Sequence, residues 1–146
     1  MNDHRSLLIV EDSDEDFEVT CWALRQAGFS GPIRRCSRAE EALQQLCPTR
    51  PAILGADSPG VVLLDLNLPG MNGQELLKEL RGNAQPPAIP IVILSTSTNP
   101  RDIAACYRLG VAGYLCKPLS IDLYVEKLRS LLSYLFETVM LADAIR

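Results

Sequence analysis

Val61-Val62-Leu63-Leu64-Asp65-Leu66-Asn67-Leu68-Pro69-Gly70-Met71-Asn72-Gly73 is the stretch whose reading decides the fold. The run Val61–Leu66 is apolar except for one acid and too short for a core helix. Its composition is that of a strand buried on both faces. Asp65 falls near the end of the run, and Pro69-Gly70 then turns the chain. Gly73, Leu76, Leu77 and Leu80 follow at i, i+3, i+4 and i+7, which predicts a helix over Gln74–Arg81. A buried strand that ends on an acid and feeds a helix is one β-α unit.

The unit recurs on both sides. Leu7–Val10 and Ile91–Leu94 are comparable apolar runs, and Pro32–Cys36 and Gly113–Cys116 are weaker strand candidates. Asp14–Ala27 carries Phe17, Cys21 and Leu24 on one helical face. Ser37 is placed to cap a short helix through Leu46. Asp102–Leu109 reads as a helix stopped by Gly110, and Ser120 caps a last helix with Leu128, Leu131, Leu132 and Leu135 as its stripe. Five such repeats predict an α/β fold, a (βα)5 doubly wound parallel sheet in the flavodoxin-like strand order 2-1-3-4-5. The chain reads as one domain over 1–146, with a core at about 6–133, 134–146 extending the last helix, and no output domain. Pro48–Gly60, with three prolines and two glycines, reads as an inserted surface loop.

Composition narrows the function. The chain has 146 residues, 47% hydrophobic and 22% charged, with a formal net charge of -4, which is globular and gives no electrostatic reason to bind nucleic acid. No apolar run is long enough for a secretory signal or a membrane span, so the expected location is the cytoplasm. Cys21, Cys36, Cys47, Cys106 and Cys116 include no CxxC pair and are accompanied by one His, which argues against a zinc site. They read as small buried hydrophobes.

In a parallel sheet of this kind, ligands bind beyond the carboxyl ends of the strands. Glu11 and Asp12 follow the first strand, Asp65 ends the third, Ser95 and Thr96 follow the fourth, and Lys117-Pro118 follow the fifth. Glu11, Asp12 and Asp65 would crowd three negative charges together, a conflict that a hard divalent cation with oxygen ligands resolves. Magnesium suits such a site, and Asn67, two residues past Asp65, is placed to offer its backbone carbonyl. Asp65 then becomes a credible nucleophile for aspartyl-phosphate formation, with Lys117 and Ser95 contacting phosphoryl oxygens. Asp14, Glu15 and Asp16 read as first-turn acids favourable to the helix dipole.

Taken together, these residues resemble the receiver domain of two-component response regulators, over roughly Ser6 to Ser133. The Asp65 motif quoted above is specific to that family. Ser95 follows Asp65 by 30 residues and Lys117 follows Ser95 by 22, spacings similar to those of the single-domain chemotaxis regulator. The resemblance implies Glu11 and Asp12 as the metal-binding acids, Asp65 as phosphoacceptor and metal ligand, and Asn67 as a ligand through its carbonyl. It also implies Ser95 and Tyr114 as switch residues, Lys117 as the phosphate-binding lysine, and a cis Lys117–Pro118 bond. Glu-Asp replaces the more usual Asp-Asp, Ser replaces Thr at 95, and Thr96 is larger than is common there. The opening Val10-Glu11-Asp12-Ser13-Asp14-Glu15-Asp16 and the Leu-Asn-Leu-Pro run resemble stand-alone regulators of bacterial, notably cyanobacterial, phytochromes. A sensor histidine kinase is the implied partner, with a phytochrome as the kinase that the subfamily resemblance points to, and the chain itself shows no sign of binding a bilin.

The family also implies that phosphorylation rearranges the surface of the fourth helix, fifth strand and fifth helix. Ser120 to Met140 as one continuous helix would be about 31 Å long at ~1.5 Å per residue. Its apolar Tyr134–Leu141 end reads as a kinase-docking or homodimer surface, the alternative being extra core contact. The expected activity is limited to the chain's own phosphorylation and dephosphorylation, with no separate substrate. A haloacid dehalogenase-type phosphohydrolase would need an acid where Asn67 stands, and a flavodoxin would need a phosphate-cradling loop where Glu11 and Asp12 stand. A phosphorylation-independent interaction module on the same fold remains the alternative function.

Overall fold

The computed structural model describes residues 5–47, 58–83 and 87–138. Its elements are β1 (Leu7–Val10), α1 (Asp14–Gln26), β2 (Ile33–Cys36), α2 (Ala39–Leu46), β3 (Val61–Leu64) and α3 (Gly73–Gly82). They continue as β4 (Ile91–Ser95), α4 (Pro100–Arg108), β5 (Gly113–Cys116), α5 (Ile121–Ser133) and a π-helical turn, Tyr134–Thr138. The strands pair in parallel in the order β2-β1-β3-β4-β5, as the alternation of elements predicts.

Strand alternation divides the core in two. Leu8, Val10, Val62, Leu64, Ile91 and Ile93 face α2, α3 and α4, meeting Leu76, Leu77, Leu80 and Cys106. Leu7, Ile9, Val61, Leu63, Val92 and Leu94 face α1 and α5, meeting Ala23, Leu24, Leu128 and Leu132. Each fully buried Leu, Ile or Val contributes about 1.5–3 kcal/mol of transfer free energy, so the three central strands anchor the domain. Because all strands are parallel, their carboxyl ends lie along one edge, and that edge carries the polar residues.

Caps fix where the helices begin. Ser13 accepts from the Asp16 N–H, Asn72 and Glu75 form a capping box, Asn99 accepts from the Arg101 N–H, and Ser120 accepts from the Leu123 N–H. Gly110, at φ +82°, ends α4. The expected Ser37 cap of α2 is not formed. Arg38 occupies the capping position without a side-chain bond, and the Ser37 hydroxyl donates to Glu41 instead.

The chain stays helical past α5: Tyr134–Thr138 follows Ser133 without a gap, but in π-helical rather than α-helical geometry. Leu135 is buried against the α1/α5 core, and Phe136 stacks on Phe29 at 6.0 Å with the Arg5 guanidinium 4.8 Å from its ring centroid. These two apolar residues therefore make core contacts, whereas Tyr134 is exposed. Val139, Met140, Leu141 and most of the Pro48–Gly60 loop lie outside the described residues. Cys36 and Cys106 are buried, Cys21, Cys47 and Cys116 are partly so, and all five are free thiols. Among the described residues no helix is long and apolar enough to cross a membrane.

Candidate functional site

Backbone hydrogen bonds carry the sheet ladder one residue past the strands, into the site. The Glu11 N–H donates to the Cys36 carbonyl, Asp65 N–H to Val10 and Lys117 N–H to Ser95. Glu11, Asp65 and Lys117 are therefore held by rigid elements rather than by free loops. The Lys117 ammonium lies 3.0 Å from Glu11 Oε1 and 3.6 Å from Asp65 Oδ2. Glu11, Asp65 and Ser95 are all buried.

The sequence points to Glu11 with Asp12; the structure brings Glu11 and Asp65 together with Asp16. One carboxylate oxygen from each of these three lies within 4.8 Å of the others. Asp12 is exposed and is not one of the three, because the chain leaving β1 turns Glu11 inward and its neighbour outward. Asp16 is a first-turn acid of α1, as expected, and also overhangs the strand edge. Its helix-dipole role hid this second placement, and the only cue was its position one turn into the helix that starts beside the site.

The electrostatics follow from the count of charges. One ammonium faces three carboxylates, so full ionisation would leave two negative charges without a partner. Burial pushes the Glu11 carboxyl up to about 7; the Lys117 hydrogen bond pulls it down and the nearby Asp65 pushes it further up. Burial works against the Lys117 charge, but Asp65 and then Glu11 outweigh it and hold the ammonium above its ordinary range. An all-oxygen, electron-rich cluster short of positive charge is the donor set of a hard divalent cation, so these residues fit one.

Local bonds orient the nucleophile candidate. Asp65 Oδ1 accepts from the Asn67 N–H at 3.0 Å, leaving Oδ2 toward Lys117. The Gly73 N–H donates to the Leu66 carbonyl. A Cβ at Gly73 would lie 2.6 Å from the Asp65 carbonyl oxygen, so only glycine lets α3 start this close. Asn67 is exposed just beyond.

Ser95 and Tyr114 meet through a residue the sequence reading did not single out, Ser97. The Ser97 N–H donates to Ser95 Oγ, the Tyr114 hydroxyl donates to the Ser97 carbonyl at 2.9 Å, and Ser97 Oγ donates to Asp102 at 2.7 Å. Thr96 is exposed. The expected cis bond at Lys117–Pro118 is absent, since no cis peptide occurs among the described residues. Lys117 reaches both acids from the trans form, which X-Pro bonds favour by about 0.5–1 kcal/mol.

Two cavities flank the site. One of about 470 Å³ lies toward α1 and α5, between Asp16, Thr20, Lys117, Leu119, Ile121 and Tyr124. The other, of about 340 Å³, lies toward α3 and α4, between Asn67, Asn72, Gln74, Ser95, Ser97 and Asp102.

Comparison with known proteins accords with this architecture. The response regulator Rcp1 of Synechocystis is 32% identical over 98% of this chain and 97% of its own length. The structure of its Mn2+-bound form matches with a TM-score of 0.78 over 94% of this chain and 98% of that one, at 30% identity. Response regulator RPA3017, from red light signaling of R. palustris, matches with a TM-score of 0.84 at 31% identity, over 94% of this chain and 97% of its own. The phosphorylated cyanobacterial phytochrome response regulator RcpA matches at 0.82 and 28% identity, over 96% and 99%. The response regulator receiver domain family itself matches residues 7–129, and this chain belongs to that family.

Proposed function

We propose that the chain is a phosphorelay response regulator in which Asp65 accepts a phosphoryl group from the phosphohistidine of a sensor histidine kinase. The observation that carries this reading is Lys117 bridging Glu11 and Asp65, on which Asp16 converges as a third carboxylate. Similarity to Rcp1, RPA3017 and RcpA makes a phytochrome the kinase of choice. The expected setting is the cytoplasm, and the chain's catalysis is confined to its own phosphorylation and dephosphorylation.

Asp65 attacks phosphorus, the bond from phosphorus to the donor imidazole nitrogen breaks, and that nitrogen keeps the electron pair. Lys117 balances charge on the transferring oxygens, which is most of what phosphoryl transfer requires. Glu11, Asp16 and Asp65, with Asp12 at the rim and the Asn67 carbonyl, would hold Mg2+. When bound, the ion supplies further neutralisation of the phosphoryl oxygens.

Once phosphorylated, Asp65 gains about -1.5 to -2 of charge and strong acceptors. Ser95 Oγ exchanges its bond with Ser97 N–H for one to a phosphoryl oxygen. Because the Ser97 carbonyl holds Tyr114, the change reaches the α4-β5-α5 face. That face presents a cavity of about 550 Å³ bordered by Tyr107, Tyr114, Leu131 and Tyr134, and is where a homodimer or target would read the switch, with the C-terminal helix alongside.

The test is acid-labile phosphate on the purified chain with Mg2+ and a panel of histidine kinases. Wild type should take up label and Asp65→Asn none. Uptake by Asp65→Asn would overturn the assignment, and a wild type that no kinase labels and that fails to bind beryllofluoride would favour a phosphorylation-independent interaction module.

A further inference from the structure

Between α1 and α5, at the end nearest the site, two hydroxyls are buried where apolar side chains would be expected. Thr20 and Tyr124 are only 3% and 4% exposed, and their oxygens lie 2.9 Å apart. Around them the same interface is made of Ala23, Leu24, Val125 and Leu128. A buried hydroxyl is tolerated only when paired, and these two satisfy each other. At the far end of the helix pair, Arg129 donates to the Gln26 carbonyl in an exposed position. The buried polar tie is thus at the site end.

Its two ends connect to opposite charges. Thr20 is four residues after Asp16 on α1, one turn along the same face. Tyr124 lies seven residues after Lys117, in the first turns of α5. Asp16, Thr20, Lys117 and Tyr124 all border one cavity. Burial holds the Tyr124 phenol above its ordinary range, so it stays neutral and able to donate or accept.

We propose that Thr20 and Tyr124 are positioning residues, whose buried hydrogen bond sets the distance between the Asp16 face of α1 and the segment that carries Lys117. This rests on the site reading given above. The ring of Tyr124 fills space that phenylalanine would fill as well. What the hydroxyl adds is direction: it fixes the phase of α1 against α5, and so the place of Asp16 over Glu11 and Asp65. Losing it leaves the fold in place and loosens the third carboxylate.

The experiment is a Mg2+ titration of the full chain, followed by fluorescence of Trp22, its one tryptophan, and checked by calorimetry. Tyr124→Phe and Thr20→Val should each weaken Mg2+ binding by about 3- to 10-fold, while Thr20→Ser, which keeps the hydroxyl, stays near wild type. In an Asp16→Asn background, Tyr124→Phe should have little further effect, because the coupled partner is gone. Phosphorylation by a small phosphodonor should slow at limiting Mg2+ and recover at saturating Mg2+. Thermal melts without metal measure any purely structural cost. The proposal is overturned if both variants bind Mg2+ within twofold of wild type, whether or not they melt lower, or if the Asp16→Asn background leaves their effect intact. A wild type that binds no Mg2+ would instead remove the site reading itself.

Discussion

The two cavities beside Asp65 differ in kind. Toward α1 and α5 the walls are helix faces and the rim is apolar, with Val19, Trp22, Leu119, Ile121 and Leu123 all exposed nearby. The polar groups there are fixed by long-range partners: Lys117 by Glu11 and Asp65, Thr20 by Tyr124. Toward α3 and α4 the wall is largely loop, and its side-chain polar groups are bonded to near neighbours in sequence: Ser95 to Ser97, Ser97 to Asp102, Asp65 to Asn67, with the Tyr114 hydroxyl on the Ser97 carbonyl as the longer link. Long-range bonds hold a geometry across the fold. Short-range bonds can be exchanged one at a time without unfolding anything. The first side is built to hold charge in place, and the second to be rearranged.

The sharpest way to break that contrast is on the rigid side. Lys117→Ala removes the one ammonium between Glu11 and Asp65. Phosphorylation by a small phosphodonor at saturating Mg2+ should fall by about 100- to 1,000-fold, the usual cost of losing one charge-stabilising donor. Mg2+ affinity should be retained or rise, since a competing cation is gone. A rate within tenfold of wild type would show that Lys117 is structural. On the loop side, Gly73→Ala puts a methyl 2.6 Å from the Asp65 carbonyl oxygen and 2.8 Å from Leu66 Cα. Both obstacles are backbone, so the cost should reach about 3 kcal/mol, the upper end for overpacking, read from chemical denaturation. Unchanged stability would mean that α3 can withdraw freely from β3.

The same contrast explains what could be read from the residues in order. β1, β3 and β4 are legible because they are buried on both faces, whereas β2, with Arg34 and Arg35, and β5 carry the mixed patterns of edge strands. Asp65 and Lys117 are legible because topology sends every strand end to one edge. The apolar run through Leu66 overstates β3, which ends at Leu64; Asn67 N–H bonds back to the Asp65 side chain, and hydrophobicity carries no sign of that turn. Asp16 is concealed by a role it also performs. Thr20 and Tyr124 are 104 residues apart, and no local pattern joins them. The tail reads as a surface because its apolar residues fall on several sides, yet Leu135 and Phe136 fold back onto the core with Phe29.

The smallest effect concerns the charge that Lys117 alone cannot balance. In metal-free protein the Glu11 carboxyl sits at about 7, against 4.5 for an ordinary glutamate. Between those values the folded chain keeps a proton that the unfolded chain has released, so stability is highest below the lower value and declines as pH rises through the upper one. The full linkage would be about 3 kcal/mol, and because the site opens to solvent through the flanking cavities the decline should be on the order of 1–2 kcal/mol, read from denaturation midpoints without Mg2+ between about pH 4.5 and 7.5. Glu11→Gln should flatten it, because no proton is left to lose there. Saturating Mg2+ should reverse it, since a cation favours the ionised carboxylate that burial opposes. A metal-free protein that gains stability over the same range would mean that Lys117 by itself neutralises Glu11, and the rigid side of the site would then have no charge deficit for a cation to fill.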